Sequence, residues 1–244
     1  LEVSPYLARD TQCTIKEARR LFEQVARKNC LIKIRGTKGV IPAIEQMLYE
    51  GININVTLLF SVERYAAVAE AYISAIQRRV DAGKSVSTII SVASVFLSRI
   101  DVLTDQLFGQ HIISFAGDGN KSHANLFFGK AGIATARLSY QRFKEIFSGE
   151  DWEKLEIKGA NMQRPLWAST SNKNPLYDEL RYVESLIGKD TVNTLPDETV
   201  AAFADHGKIK KDTIENDLEQ ARELFPDLKK IGIDIDFVTQ QLEN

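Results

Sequence analysis

The chain is poor in the residues that build metal centres and disulfide frameworks. Two cysteines, Cys13 and Cys30, stand in 244 residues, with no C-x-x-C and no zinc-type spacing, so neither a disulfide scaffold nor a structural zinc site is expected. Histidine is as scarce: His111, His123 and His206 are too scattered for a metal site or a Ser–His or Cys–His pair, and no role is assigned to them. An excess of one charge is missing too. Lys and Arg total 31 against 33 Asp and Glu, a formal net charge of −2, which gives no handle on nucleic acid or an anionic membrane. No apolar run reaches the ~18 residues of a membrane span; the best candidate, Val86 to Leu97, is cut by Ser87, Thr88, Ser91 and Ser94. There is no low-complexity tract and no linker, and with so few cysteines a cytoplasmic location is the simplest expectation.

What is present is alternation. With 44% hydrophobic and 26% charged residues the chain can bury one sizeable core. Short apolar runs read as strands at Leu1–Ser4, Cys30–Arg35, Ile54–Phe60, Ile89–Phe96, Pro165–Thr170 and Thr191–Thr194. Amphipathic stretches between them read as helices near Ile15–Arg27, Val40–Tyr49, Val62–Ala82, Ala131–Phe147, Leu176–Ile187 and Glu198–Ala204. The alternation predicts an α/β protein with a parallel sheet. The gap from Arg99 to Lys130 holds Gly117-Asp118-Gly119-Asn120, which reads as a loop whose acids are too sparse for an EF-hand.

Within this pattern Lys33 stands out, because it interrupts the apolar run Cys30-Leu31-Ile32-Lys33-Ile34. Burial disfavours an ammonium, so a lysine on a buried strand tends toward the neutral amine, which is a nucleophile. The structural alternative is a lysine that snorkels from a strand end or faces solvent. A turn at Gly36-Thr37-Lys38-Gly39 leads into a helix with Pro42 in its first turn and Gly51 at its end, then into the next strand. Lys33 thus sits in a strand–helix–strand unit whose strands should be parallel neighbours. On the second strand Asn55 and Thr57 alternate with Val56 and Leu58, so two hydrogen-bonding side chains should share one face.

The segments Leu31-Ile32-Lys33-Ile34-Arg35-Gly36-Thr37 and Glu50-Gly51-Ile52-Asn53-Ile54-Asn55-Val56-Thr57-Leu58-Leu59-Phe60-Ser61 resemble the best-marked stretches of the transaldolase family. The similarity continues through Ser94-Val95-Phe96-Leu97-Ser98-Arg99, Gly159-Ala160-Asn161, Trp167 to Pro175 and Asp190-Thr191-Val192-Asn193-Thr194, in the same order, and is to the longer bacterial transaldolases. It implies a (β/α)8 TIM barrel of the class I aldolase type, as one domain over 1–244. Leu1-Glu2-Val3-Ser4 matches the family's third strand. The expectation is therefore a barrel lacking its first two strand–helix units and its C-terminal helix, and with them the first-strand aspartate used for proton transfer and a second-strand asparagine.

Residue by residue, the resemblance makes Lys33 the Schiff-base lysine. Glu2 matches the carboxylate that works through a water and Thr57 the hydroxyl that holds it. Asn55 matches a ligand to the donor's hydroxyls, Ser94 and Phe96 line the site, and Arg99 with Ser169 binds phosphate. The implied reaction moves a dihydroxyacetone unit from sedoheptulose 7-phosphate or fructose 6-phosphate to glyceraldehyde 3-phosphate or erythrose 4-phosphate, within the pentose phosphate pathway. No cofactor or metal is implied, the partners are phosphorylated sugars, and the protein is a monomer or a homodimer. Bland readings stand beside these: Glu2 as a terminal surface acid, Arg99 paired with Asp101 or Glu63, Ser169 as a buried hydroxyl, Lys38 and Lys173 as loop cations, Lys173 also as a supplement to Arg99. One departure is Arg35, where the family commonly has proline or alanine; it either competes for phosphate or points outward. The alternatives are a fructose 6-phosphate-type aldolase that releases free dihydroxyacetone, and a non-catalytic sugar-phosphate-binding remnant.

Overall fold

The computed structural model describes residues 1–114 and 127–243, apart from the side chains of 111–114. The expected loop at Gly117-Asp118-Gly119-Asn120 and the side chains of His111 and His123 lie outside the described residues. Five strands are present: β1 (Ile32–Arg35), β2 (Ile54–Leu59), β3 (Ser91–Phe96), β4 (Arg164–Ala168) and β5 (Val192–Asn193). They hydrogen-bond in chain order, and β1–β2 and β2–β3 are parallel, as the alternation predicts. The helices are α1 (Thr11–Val25), α2 (Ile41–Glu50), α3 (Val62–Asp81), α4 (Leu97–Ser114), α5 (Ala131–Ile146), α6 (Glu150–Ile157), α7 (Arg181–Glu184), α8 (Asp197–His206), α9 (Leu218–Lys230) and α10 (Ile235–Glu243). The chain divides into two compact units, Leu1–Val95 with Gln141–Leu166, and Phe96–Tyr140 with Trp167–Asn244.

In the first unit Ile32, Ile34, Ile54 and Val56 are buried on one face of β1 and β2, and α2 and α3 bury Ala43, Ile44, Met47 and Leu48 and Tyr65, Val68, Tyr72 and Ile76. Local chemistry sets the helix ends. Asp10 accepts a hydrogen bond from Cys13 N (2.9 Å) to start α1, Ser61 accepts from Arg64 N (3.1 Å) to start α3, and Gly51 at φ 101° closes α2 in the left-handed region that favours glycine. The expected strand Leu1–Ser4 is reduced to a single bridge between Glu2 and Lys33, in which Val3 N–H donates to Lys33 O (2.9 Å) and Lys33 N–H to Leu1 O (2.8 Å). Pro5 stops it: it has no N–H to continue a ladder and begins a short 3-10 turn, Pro5–Leu7.

Side-chain amides close the strand entrances of this unit. Asn53 donates to Lys28 O (3.0 Å) and accepts from Ile90 N (2.8 Å), while Asn161 donates to Ser87 O (3.0 Å) and Ile89 O (3.1 Å). Fully buried Gln163 donates to Ser91 Oγ (2.8 Å), which in turn donates to Ile54 O (2.8 Å). These bonds satisfy backbone groups where the ladder ends.

The second unit has its own core, in which Phe108 of α4, Ala134 of α5, Ala221, Leu224 and Leu228 of α9, Val238 of α10 and Ile233 just before α10 are buried together. Four helices here and in the first unit, α4, α6, α9 and α10, were not expected. In the gap from Arg99, where no element was expected, α4 follows β3 with no intervening residue. The expected helix Leu176–Ile187 shrinks to α7 for a local reason. Asn174 N donates to Asn172 Oδ1 (3.1 Å), Leu176 N to Asn174 Oδ1 (3.0 Å) and Leu180 N to Asp178 Oδ1 (2.7 Å), so side-chain turns compete with helical bonds.

Because Asn53 is buried and bonds two separate backbone groups, Asn53→Ala should lower stability by about 2–3 kcal/mol. Urea denaturation of the intact protein checks this; a loss under about 0.5 kcal/mol would mean that the two backbone groups find other partners.

Candidate active site

On the first unit's sheet, the face opposite the buried isoleucines carries the polar residues singled out from the sequence. Parallel pairing puts Lys33 beside Asn55 and Arg35 beside Thr57. Lys33 Nζ lies 3.9 Å from Glu2 Oε2, and the two side chains are 38% and 42% exposed. The expected buried lysine is thus corrected to a half-exposed one, because Ile32 and Ile34 take the helix-covered face and Lys33 the other. At that exposure and distance solvent screens the pair, so the contact contributes little to stability. Buried Ser94 donates to Asn55 Oδ1 (2.7 Å), leaving the Asn55 amide Nδ2 as a donor for a ligand.

Thr57 is buried, and its Oγ1 has no hydrogen-bond partner among the described residues. The expected alternation holds as far as Thr57 and then breaks. The β2–β3 register shifts between Val56 and Leu59, and Leu58 adopts φ 60°, leaving Leu58 half-buried and Leu59 buried. Such a bulge re-aims neighbouring side chains, and a left-handed leucine costs about 1–3 kcal/mol.

In the second unit, Phe96 ends β3 and Arg99 lies in the first turn of α4. Arg99 is exposed, with its guanidinium carbon 5.2 Å from the Phe96 ring centroid, and no carboxylate of the described residues forms an ion pair with it. Ser98 and Ser169 are joined twice: Ser98 N donates to Ser169 O (3.1 Å), and their hydroxyl oxygens are 2.8 Å apart. Ser169 is half-buried and, like Leu58, left-handed, at φ 53°. Exposed Lys173 donates to Ser171 Oγ (2.6 Å). Ser98 was quoted in the sequence but given no role.

Asp101, weighed as a partner for Arg99, is instead buried. It accepts from Gly132 N (2.7 Å) and the Tyr182 hydroxyl (2.5 Å), with Arg181 Nη2 at 4.0 Å. One turn on, Asp105 accepts from Gly129 N (2.8 Å) and the Tyr177 hydroxyl (2.7 Å). Arg181 donates to Gly129 O and lies over the rings of Tyr177 (4.4 Å) and Tyr182 (5.1 Å). Gly132 is required, since a β-carbon there would sit 2.7 Å from Leu97 O. A cavity of about 390 Å³ borders this network, lined among others by Ser98, Asp101, Asp105, Asn172, Lys173 and Tyr177. Sequence reasoning missed the network, although Asp101 and Asp105 at helical spacing were the signal. Among the described residues no group of three or more His, Cys, Asp or Glu is placed to hold a metal ion.

The family model for Transaldolase/Fructose-6-phosphate aldolase matches residues 1–244. The chain belongs to this family. It is 45% identical over 245 residues to Transaldolase 2 of Nostoc punctiforme, covering 99% of this chain and 64% of that relative. It is 44% identical to Transaldolase of Trichodesmium erythraeum (99% and 64%) and 43% identical to Transaldolase of Frankia alni (100% and 63%). The chain therefore spans somewhat less than two thirds of the length of these transaldolases.

In this transaldolase-family chain the electrostatics of the Asp101 network are set by burial, which pushes the Asp101 carboxyl from its ordinary 3.8 up to about 6. The Gly132 N–H, the Tyr182 hydroxyl and Arg181 offset that only in part. Asp105 is raised for the same reason, and burial next to these acids also raises the hydroxyls of Tyr177 and Tyr182. A carboxyl whose pKa is higher in the folded than in the unfolded chain adds stability that is complete below about pH 4 and is lost as pH rises through about 6, roughly 3 kcal/mol for two units. The stability difference between wild type and Asp101→Asn should therefore change by about that amount between pH 4 and pH 7. Urea midpoints across that range measure it, and a difference independent of pH would show that Asp101 titrates normally.

Proposed function

We propose that the protein is a transaldolase that moves a dihydroxyacetone unit from a ketose phosphate to an aldose phosphate through a Schiff base on Lys33. The observation that supports this most is the shared sheet face of Lys33, Asn55 and Thr57, with Ser94 tied to Asn55, in a chain of this family. In this reading the fold is a single (β/α)8 barrel, and the substrates are fructose 6-phosphate or sedoheptulose 7-phosphate with glyceraldehyde 3-phosphate or erythrose 4-phosphate. Among the described residues no helix is long and apolar enough to cross a membrane; a cytoplasmic place in the pentose phosphate pathway belongs to the same proposal.

The neutral Lys33 amine attacks the C2 carbonyl of the ketose, and the resulting carbinolamine loses water to give an iminium. Each step moves a proton between nitrogen and oxygen. Glu2, 3.9 Å from Nζ, is suited to relay protons through a water, and the unpartnered Thr57 hydroxyl is suited to hold that water. The C3–C4 bond then breaks, its electron pair flows into the iminium, and the aldose phosphate leaves as the C4 hydroxyl gives up its proton. The enamine left on Lys33 adds to the aldehyde carbon of the acceptor, and hydrolysis frees the amine. Asn55 would hold donor hydroxyls through Nδ2, with Ser94 and Phe96 lining the site. Arg99, Ser169 and also Ser98 would hold phosphate through the guanidinium and the two hydroxyls. A fructose 6-phosphate-cleaving aldolase that releases free dihydroxyacetone would share Lys33; the transaldolase names of the relatives favour transfer, and product analysis with and without an aldose-phosphate acceptor separates the two.

Borohydride added to the intact protein with fructose 6-phosphate should reduce the imine and leave an adduct on Lys33, and Lys33→Met should abolish turnover. Since Lys33 is half-exposed, that substitution should change stability by less than about 1 kcal/mol. An adduct on Lys38 or Lys173, or an active Lys33→Met protein, overturns the mechanism.

Arg99→Ala should weaken binding of phosphorylated sugars by about 2 kcal/mol while leaving dihydroxyacetone nearly unaffected, because it removes a charge-assisted hydrogen bond to phosphate. Titration of both ligands reads the difference. Equal losses would assign Arg99 a structural role.

A further inference from the structure

The Lys33 face carries one cation that the mechanism above does not use. Arg35 lies two residues beyond Lys33 on β1, and the strand's alternation of buried Ile32 and Ile34 with half-buried Lys33 and Arg35 puts both basic residues on the same side of the sheet. It does not point to the helix-covered face. Its Nε is shut off from solvent and has no hydrogen-bond partner among the described residues, and none of their carboxylates forms an ion pair with it.

A guanidinium keeps its charge at any physiological pH and is donor-only, so a buried Nε–H without an acceptor is costly unless something supplies the missing oxygen. A second, independent observation falls on the same spot. The register partner of Arg35 is Thr57, whose buried hydroxyl also lacks a partner. Two neighbouring polar groups are left unsatisfied on one face, and neither satisfies the other. The mechanism gives the Thr57 hydroxyl a water to hold, which leaves Arg35 as the donor of the pair still without an acceptor among the described residues.

We propose that Arg35 forms an additional anion subsite of the Lys33 site, donating from its guanidinium to a phosphate oxygen of the sugar phosphate bound there. The ligand class follows from the donor: a planar fork of N–H groups with fixed charge matches a tetrahedral oxyanion better than a neutral hydroxyl. Successive same-face residues on a strand stand roughly 7 Å apart, so an arginine at this spacing reaches past the carbons attached to Lys33 to a group further along the substrate. This rests on the reading of Lys33 as the Schiff-base lysine, and it adds a determinant of selectivity for phosphorylated over free sugars.

The test compares wild type, Arg35→Ala, Arg35→Gln and Arg35→Lys in the intact protein. Borohydride trapping on Lys33 is measured with fructose 6-phosphate and with unphosphorylated dihydroxyacetone, and binding of inorganic phosphate is measured by calorimetry. Arg35→Ala and Arg35→Gln should lower trapping efficiency with fructose 6-phosphate, and phosphate affinity, by about tenfold or more. Trapping of dihydroxyacetone should stay within about twofold, and Arg35→Lys should recover part of the loss. Equal losses for both trapping substrates, or no loss for either, overturn the proposal. Should wild type form no adduct on Lys33, the Schiff-base reading fails and the phosphate titration still decides: an affinity unchanged in Arg35→Ala and Arg35→Gln removes Arg35 from any anion site.

Discussion

In-register parallel pairing of β1 with β2 is the constraint on which the Lys33 face depends. The pairs Lys33 with Asn55 and Arg35 with Thr57 hold because Ile32, Ile34, Ile54 and Val56 all seek the face covered by α2 and α3. A slip of β1 by one residue would move Ile32 and Ile34 off the covered face and turn Lys33 and Arg35 into an apolar layer, so the hydrophobic face fixes the polar one. The apolar residues on the far side of the sheet thereby determine which groups meet Lys33.

Polar side chains at the two ends of these strands have opposite characters. At the entrances, Asn53, Asn161 and Gln163 spend their amides on backbone groups or on Ser91, and what they hold is the fold. Further along, Arg35 Nε and Thr57 Oγ1 have no partner in the protein among the described residues. Other buried polar atoms, Gln163 Oε1 at the entrance and Trp167 Nε1 among them, lack a partner among the described residues too, so what singles out Arg35 and Thr57 is their register position next to Lys33 and Asn55. Asn161 shows why residue type alone misleads, since it lies in a stretch that carries the family resemblance yet serves the strand entrances.

Much of the first unit was legible because its signals are local. Pro42 and Gly51 bracket α2, apolar runs mark β1 and β2, and period two places Asn55 and Thr57 on one side. Elsewhere the controlling physics is not written in neighbouring residues. The start of α4 directly after β3 has no preceding turn to announce it, and with no helix expected there, Asp101 and Asp105 could not be seen to stack on one helical face. Pro226 inside α9 argues locally against a helix that burial of Ala221, Leu224 and Leu228 nevertheless stabilises. The exposure of Lys33 was missed because an apolar run does not say which of two faces a single lysine takes. The left-handed turn of Leu58 was invisible too, since leucine has no preference for it.

That turn, and its counterpart at Ser169, reverse an ordinary rule of protein engineering. Replacing an ordinary residue by glycine usually destabilises, because the unfolded chain gains freedom. At φ 60° and 53° the native backbone already suits glycine better than leucine or serine. Leucine and serine there hold strain that a single substitution would relieve, and what they keep in exchange is a stiff chain beside Thr57 and Ser98. Glycine at either position would relieve that strain, and the order of the neighbouring hydroxyls is what would be given up.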